Sequence, residues 1–484
     1  MKKYILAIDE GTTSSRAGLF DVKKNQFKTI KSAKFNLYYP QNAWVEFDAN
    51  EVWEAQKKVL MEVANGVKVE EIFGLGITNQ RESAIAWDKL TGKAVFPAIC
   101  WQCRRTADFC DNISKANKKL IKEKTGLIAD PYFSASKFKW LYENIPEVKE
   151  LAKQKRLCFG TMDSYLIFKF TNGKVFATDT TNASRTMLFN LRTLNWDDDL
   201  LKLFKVKKEW LPKIISSSEV VGSTNIFDKP LNICSVIGDQ QSALVGQCCF
   251  KKGMAKNTYG TGCFVLVNTG TNIEEVDRLV STLAYTINGE TVYAVEGSVL
   301  NAGCLVEWLL EIGLIKEPAE SEKLALNEKD NGGVYLIPAF TGLGAPYWDS
   351  SARGAFIGLT RSVTKNHLVR AVLESMAYST YDLFSLFKNR YIKELRVDGG
   401  VSKNNFLMQF QSNILNMKIK LPKMVESTLM GAVYLAGLSS GAYSSLEEIT
   451  TKWELQKEYM PKMKIKERKA LLDGWHNAIK KVLK

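Results

Sequence analysis

The amino-acid sequence predicts an α/β protein of two domains, and three observations carry that prediction: the length, the alternation of strand-like and helix-like runs, and a strand, turn, strand opening that occurs twice. At 484 residues with 45% hydrophobic content, the chain exceeds the size at which a single core stops growing, so division into domains is expected. Strands alternating with helices place it in the α/β class.

The elements follow in order. Residues 4–8 form a short apolar run, the polar DEGTTSSR follows at 9–16, and residues 17–20 are apolar again, which reads as strand, polar flexible turn and strand. Asp48 stands where a side-chain oxygen caps a helix that the spacing carries to Ala64, with Asn65 and Gly66 closing it. EIFGLGIT (71–78) has the composition of a buried strand, and the polar cluster NQRE (79–82) begins at its end. A second unit opens near Lys251: MAKNT (254–258) and CFVLVN (263–268) flank the turn YGTG (259–262). This weak internal duplication sets the boundary near Gly246, giving domains at 1–246 and 247–484, with the two turns facing each other across a cleft. ELRVDGG (394–400) reads as a strand entering a glycine turn, and residues 404–415 as the helix after it. Leu368, Val372 and Met376, like Phe406, Phe410 and Ile414, recur at helical spacing and belong to the core.

Composition narrows the function. No run approaches the roughly 18 apolar residues that span a bilayer, and the start lacks signal-peptide anatomy, so a cytoplasmic protein without membrane insertion is expected. Nine scattered cysteines suit buried thiols better than a disulfide framework; the Cys100/Cys103 pair has no second pair at zinc-finger spacing. The net charge of +14 is spread along the chain among acidic residues, which argues against a dedicated nucleic-acid surface. Neither His367 nor His476 accompanies a nucleophile motif, so a triad hydrolase is not expected.

Several polar clusters could carry chemistry. DEGTTSSR offers a carboxylate, a glycine and hydroxyls at the spacing that holds polyphosphate and magnesium, or it is a plain hairpin turn. The matching GTG turn at 260–262 favours the first reading. Asp239, between a strand and a helix, is either a helix N-cap or a base aimed into a cleft. Arg81 and Glu82 either form a surface bridge or turn a donor and an acceptor toward a polyol. No GxxxxGK[ST] loop and no protein-kinase motif set is present, which leaves a phosphotransferase of another architecture.

The motifs DEGTTSSR, GITNQRE, WQCRR, DPYFS, TNASRTML, GDQQ, KNTYGTGCF, FTGLGAPYWD, RVDGG and NNFLMQFQ together resemble the FGGY carbohydrate kinases, in their glycerol-phosphorylating branch, over nearly the entire chain. YFSASKFKWLYEN (132–144) and the stretch from Gly354 to Glu374 fit two signatures of that family. The resemblance implies an actin-like ATPase fold of two ribonuclease-H-like domains that close around ATP and substrate, and an enzyme that phosphorylates glycerol. It implies that Arg81, Glu82, Tyr132, Asp239 and Gln240 hydrogen-bond glycerol while Trp101 and Phe264 pack against its carbons. For ATP it points to Thr12, Thr13, Ser14, Arg16, Thr261, Gly303, Glu307, Gly400 and Asn404, with Mg²⁺ bridging the phosphates near Asp9 and Asp239 as general base. A homodimer or homotetramer is the assembly it implies. Two positions depart from the family's usual pattern: Glu10, expected to add a negative charge close to the phosphates, and Glu307, each where glutamine is common. Residues 224–232 lack the glycine-rich basic sequence and the histidine through which some members are regulated.

Overall fold

The structure is a computed structural model that describes residues 1–340, 342–349, 351–387, 392 and 394–483; Thr341 of the FTGLGAPYWD motif lies outside them. The first half contributes strands β1 (Tyr4–Glu10), β2 (Ser14–Asp21), β3 (Gln26–Lys34), β4 (Ile72–Asn79), β5 (Ser218–Thr224) and β6 (Leu231–Gly238). The second contributes β7 (Met254–Tyr259), β8 (Cys263–Gly270), β9 (Val280–Ile287), β10 (Glu290–Val299), β11 (Glu394–Gly399), β12 (Lys418–Pro422) and β13 (Leu455–Tyr459). Seven helices matter below: α1 (Ala49–Ala64), α2 (Ser134–Asn144), α3 (Asp239–Gly246), α4 (Gly303–Glu311), α5 (Lys365–Ser385), α6 (Asn405–Leu415) and α7 (Ser427–Ser439).

All thirteen strands join one mixed sheet in the order β13-β12-β11-β7-β8-β10-β9-β5-β6-β4-β1-β2-β3. Within it the same module occurs twice. In β3-β2-β1-β4-β6 and again in β10-β8-β7-β11-β12, three antiparallel strands lie beside two strands parallel to the first of them in the chain. Each module has the ribonuclease-H-like topology expected of the actin-like fold, and within the sheet the two meet through β5 and β9 at a single paired position, Ser218 with Ile287.

The local chemistry accounts for the elements. Asp48 Oδ1 accepts from the Asn50 amide and starts α1, whose Val52, Trp53, Val59, Leu60 and Val63 are buried in the first module's core. The first polar segment is shorter and more ordered than its composition suggests: Asp9 still pairs with Arg16 and Glu10 with Ser15, so only residues 11–13 form the turn. The second turn, residues 260–262, closes directly after Tyr259 pairs with Cys263. Of the helical stripes, Val372, Met376, Phe410 and Ile414 are buried, while Leu368 and Phe406 are partly so.

The halves interlock. Helix α7 comes from the second half but covers the first module, where Ser235 Oγ donates to the Ala432 carbonyl (2.9 Å) and Ser218 Oγ to that of Leu435 (2.8 Å). Its Leu429 and Val433 share a core with Ile5, Ala7 and Phe20. Gly76 lies so close to the Ala432 carbonyl that a Cβ has no room there. The histidines serve structure: His367 completes a capping box with Thr364, and His476 Nε2 lies 3.1 Å from Asp382. Among the described residues, no helix is long and apolar enough to cross a membrane.

Candidate active site

Parallel strands bring their C-terminal ends to one edge, so the segments after β4 and β6 meet: Gly238 lies in register with Asn79. Arg81 and Glu82 follow the first of these strands. Asp239 follows the second as the opening residue of α3, with Gly238 in the cap position, so its carboxylate is not spent as an N-cap. Instead Oδ1 accepts from the Gln240 amide (2.7 Å) and meets Arg81 Nε at 3.1 Å, while Oδ2 accepts from Gln240 Nε2 (3.0 Å). The Asp239 side chain is 29% exposed against 2% for Arg81, which puts the carboxylate at a rim and the guanidinium beneath it.

Beneath the rim lies a buried lattice of alternating charge. Glu296, on β10 of the second half, accepts from Arg81 Nη1 (2.6 Å) and Nη2 (3.2 Å) and from Arg185 Nη2 (2.8 Å). Arg185 Nε in turn donates to Glu82 Oε1 at 2.6 Å. All four side chains are 2% exposed or less, which overturns the surface-bridge reading of Arg81 and Glu82. Burial works against ionising Glu296, but Arg185 and Arg81 outweigh it and bring its carboxyl down to about 2. Arg81 is thereby fixed with its Nε turned to Asp239.

Glu82 adopts a left-handed backbone, φ 62°, a conformation that costs a non-glycine residue energy unless neighbours enforce it. Here they do: its carbonyl accepts from Ser134 Oγ (3.0 Å) and Lys137 Nζ (3.2 Å) at the start of α2. Lys137 Nζ also bonds the Tyr132 carbonyl (2.7 Å), linking two of the expected glycerol contacts. Trp101 packs edge-on against Tyr132, ring centroids 5.6 Å apart, and its indole Nε1 donates to Thr12 Oγ1 (2.9 Å). Partly exposed Phe264 joins from β8, its carbonyl accepting from Lys256 Nζ (3.1 Å), which also bonds Gln240 Oε1. The expected glycerol set is thus one connected group.

The first turn lies beside it. Thr12 and Ser14 are partly buried and Thr13 is exposed, with the Gly11 amide donating to the Ser14 carbonyl (3.0 Å) to close the loop. Arg16 lies 3.7 Å from Asp9 Oδ2 and pairs with Glu426, just before α7. Burial raises the Asp9 carboxyl to about 7, with Asp239 and Glu426 adding to the rise and Arg16 opposing it. This local surplus of carboxylate over cation fits a site that receives a cation. Among the described residues no group of three or more His, Cys, Asp or Glu side chains is placed to hold a metal ion. Glu10 corrects an expectation: successive residues of a strand face opposite sides, and its side chain is fully buried where burial raises its carboxyl well above the usual range. The side chain turns into the interior rather than out toward the turn, and burial disfavours its charged form.

The second turn is organised by backbone. The Thr261 carbonyl accepts from the amides of Ala302 (2.9 Å) and Cys304 (3.2 Å), and the Gly303 amide donates to the Gly260 carbonyl (2.9 Å), stitching the start of α4 to the turn. A Cβ at Gly303 would collide with that carbonyl and touch Val401. Gly399, φ 89°, backs onto Tyr259 where no Cβ fits, and Gly400 beside it is exposed to open space. Glu307 is exposed one turn along α4. Asn404 is nearby, but its carboxamide is already engaged: Oδ1 caps α6 through the Leu407 amide (2.9 Å) and Nδ2 donates to Ser321 Oγ (3.3 Å).

Sequence reasoning missed Arg185, Glu296, Lys137 and Lys256 as parts of the site. The first, third and fourth sit inside the motifs TNASRTML, YFSASKFKWLYEN and KNTYGTGCF. A charge inside the apolar run of β10 was a usable signal, because such residues are rarely buried unless paired.

Comparison with known proteins identifies the family. The profile of the FGGY family of carbohydrate kinases matches residues 4–246 with its N-terminal domain and 255–440 with its C-terminal domain. The chain is 48% identical to a glycerol kinase of Desulfitobacterium hafniense, covering 100% of both, and 48% identical to glycerol kinase 2 of Thermotoga maritima, covering 99% of both. Among solved structures it resembles Plasmodium falciparum glycerol kinase with ADP: TM-score 0.92, 35% identity, 99% of this chain and 98% of that one. With matched profiles on both modules and full-length similarity to these kinases, the chain is a member of the FGGY family of carbohydrate kinases.

Proposed function

We propose that this carbohydrate kinase is a glycerol kinase, moving the γ-phosphoryl group of ATP in line onto a terminal hydroxyl of glycerol to give sn-glycerol 3-phosphate and ADP. The observation that carries the reading is Asp239: a partly exposed carboxylate held 3.1 Å from buried Arg81 and near enough to Asp9, just before the first turn, to raise its carboxyl. Asp239 is the general base, accepting the proton of the attacking hydroxyl as the new bond to phosphorus forms, which is worth about 10²- to 10⁴-fold in rate. Arg81, Glu82, Tyr132 and Gln240 supply the donors and acceptors a triol needs, and Trp101 and Phe264 cover its carbons. A site built to bond each hydroxyl rejects analogues lacking one more strongly than shape does.

Thr12 and Thr13 of the first turn, and Ser14 and Arg16 at the start of β2, face the ATP phosphates, with Thr261 of the second turn. Gly303, Glu307, Gly400 and Asn404 border the nucleoside, Asn404 through its position rather than its engaged amide. Asp9 would hold Mg²⁺ through water, where the ion supplies neutralisation of charge on the phosphates. The division into domains 1–246 and 247–484 belongs to this reading, supported by where the two family profiles fall. So does a cytoplasmic location: all nine cysteines are free and eight are buried, which suits a reducing compartment. A homodimer or homotetramer completes it.

A coupled ADP-release assay with glycerol, glycerone and xylulose tests the proposal. Fastest turnover is expected with glycerol; faster turnover with the five-carbon sugar, or ATP hydrolysis indifferent to glycerol, would overturn it.

A further inference from the structure

We infer that Lys256 is a positioning residue for Asp239, acting across the junction of the two halves through the side-chain amide of Gln240; the inference rests on the kinase reading above. Lys256 lies on β7 and is fully buried. Its three ammonium hydrogens have three acceptors: Gln240 Oε1 at 2.5 Å, Thr258 Oγ1 at 3.0 Å and the Phe264 carbonyl at 3.1 Å.

An ammonium donates and never accepts, so the end of the Gln240 amide that touches it must be the oxygen. The NH₂ end is then forced toward Asp239, where Nε2 donates to Oδ2 at 3.0 Å. The other oxygen is held by the Gln240 amide and Arg81 Nε. With both oxygens gripped, the carboxylate has one orientation, and the charge of Lys256 selects it. Were the lysine replaced by an apolar residue, the amide would be free to flip and turn its carbonyl on the carboxylate.

The partners of Lys256 also argue for this role. Burying a charge is costly unless it is paired, yet all three direct contacts are to neutral oxygens. Burial brings the ammonium down to about 8 against the opposing pull of Asp398, Glu296 and Asp239, so it remains charged at neutral pH. A buried cation spending its hydrogens on an amide next to a reacting carboxylate fits orientation better than stability. Because Lys256 and Phe264 come from the second half and Asp239 from the first, the base is aligned only when the halves are docked.

The test is a cycle of Lys256→Met, Gln240→Leu and the double variant, reading kcat and KM for glycerol and ATP. Misplacing a reacting group by about an ångström costs on the order of 100-fold, so Lys256→Met should lower kcat about 10- to 100-fold and leave the ATP KM within about twofold. Because both residues act on one line, the double variant should be no slower than the slower single variant. A Lys256→Met enzyme with wild-type kcat, or losses that multiply in the double variant, would overturn the inference. A wild-type enzyme inactive on glycerol would instead overturn the kinase reading. Should Lys256→Met fail to fold, Gln240→Glu reads the same line, since it keeps the acceptor for Lys256 and removes the donor to Asp239; unchanged kcat there would also sink the inference.

Discussion

Around the ends of β4 and β10, four buried ionic side chains share hydrogen bonds of 2.6 to 3.2 Å, whereas around the second turn the contacts are backbone to backbone and glycines stand where no Cβ fits. One module has thus been elaborated in two ways. Charge gives directional recognition of hydroxyls, at the cost of desolvating each group. Glycine gives close approach of backbone amides to whatever sits between the turns, with little intrinsic chemistry. Under the proposed function, the charged lattice would discriminate among polyols and the glycine-rich second turn would admit the nucleotide.

The strongest way to break that contrast is at Asp239, the proposed general base. Asp239→Asn keeps shape and removes the proton acceptor, so kcat should fall about 10²- to 10⁴-fold while glycerol and ADP still bind, as measured by coupled assay and calorimetry. Near-normal turnover would remove Asp239 as the base. Next comes the lattice beneath it. Glu296→Ala leaves Arg81 and Arg185 without their shared carboxylate, and breaking a buried pair costs about 3–5 kcal/mol, to be read from denaturant unfolding. The pH dependence has a definite sign. The Glu296 carboxyl is lowered on folding from 4.5 to about 2, so its stabilisation is complete above the unfolded value and is lost as pH falls toward 2. The stability difference between wild type and Glu296→Gln should therefore shrink across that window; a constant difference would mean that Glu296 is not held ionised by the two arginines.

What was legible in the sequence divides along the same line. Both turns, the α1 cap at Asp48 and the strand before Asp239 follow from local rules of apolar runs, capping and glycine, and the fold follows from their repetition. Arg81 and Glu82 meet Asp239 and Gln240 because they follow adjacent parallel strands; Trp101, Tyr132 and Phe264 reach the same place by tertiary packing. The lattice was not legible: Arg81 meets Glu296 across 215 positions of sequence, and nothing local specifies such a partner. Glu10 misled for a related reason, since adjacency to Asp9 in the chain suggested adjacency in the site while strand alternation sent the two side chains to opposite faces. The covering of the first module by α7 was equally hidden, its helix being apolar nearly all round and so giving no preferred face.

Gly303 is the smallest and sharpest test of the nucleotide side. Two opposing effects act on Gly303→Ala. Alanine is the better helix former, by up to about 1 kcal/mol in a helix interior, and Gly303 is the first residue of α4. Against this, the added methyl meets the Gly260 carbonyl, a backbone atom that cannot swing aside as a side chain would. Forcing extra volume into a packed site costs about 1–3 kcal/mol, which exceeds the reduced propensity gain at a helix terminus, so the turn must shift. A displaced second turn should raise the ATP KM about tenfold, the equivalent of 1.4 kcal/mol, and leave the glycerol KM unchanged because no polyol residue touches Gly303. If the variant instead melted higher with an unaltered ATP KM, helix propensity would have won and close approach of the backbone would not be what shapes that side of the cleft. If the glycerol KM rose as well, the two sides would be mechanically one, and the contrast between charge and glycine would describe composition without dividing the labour of the site.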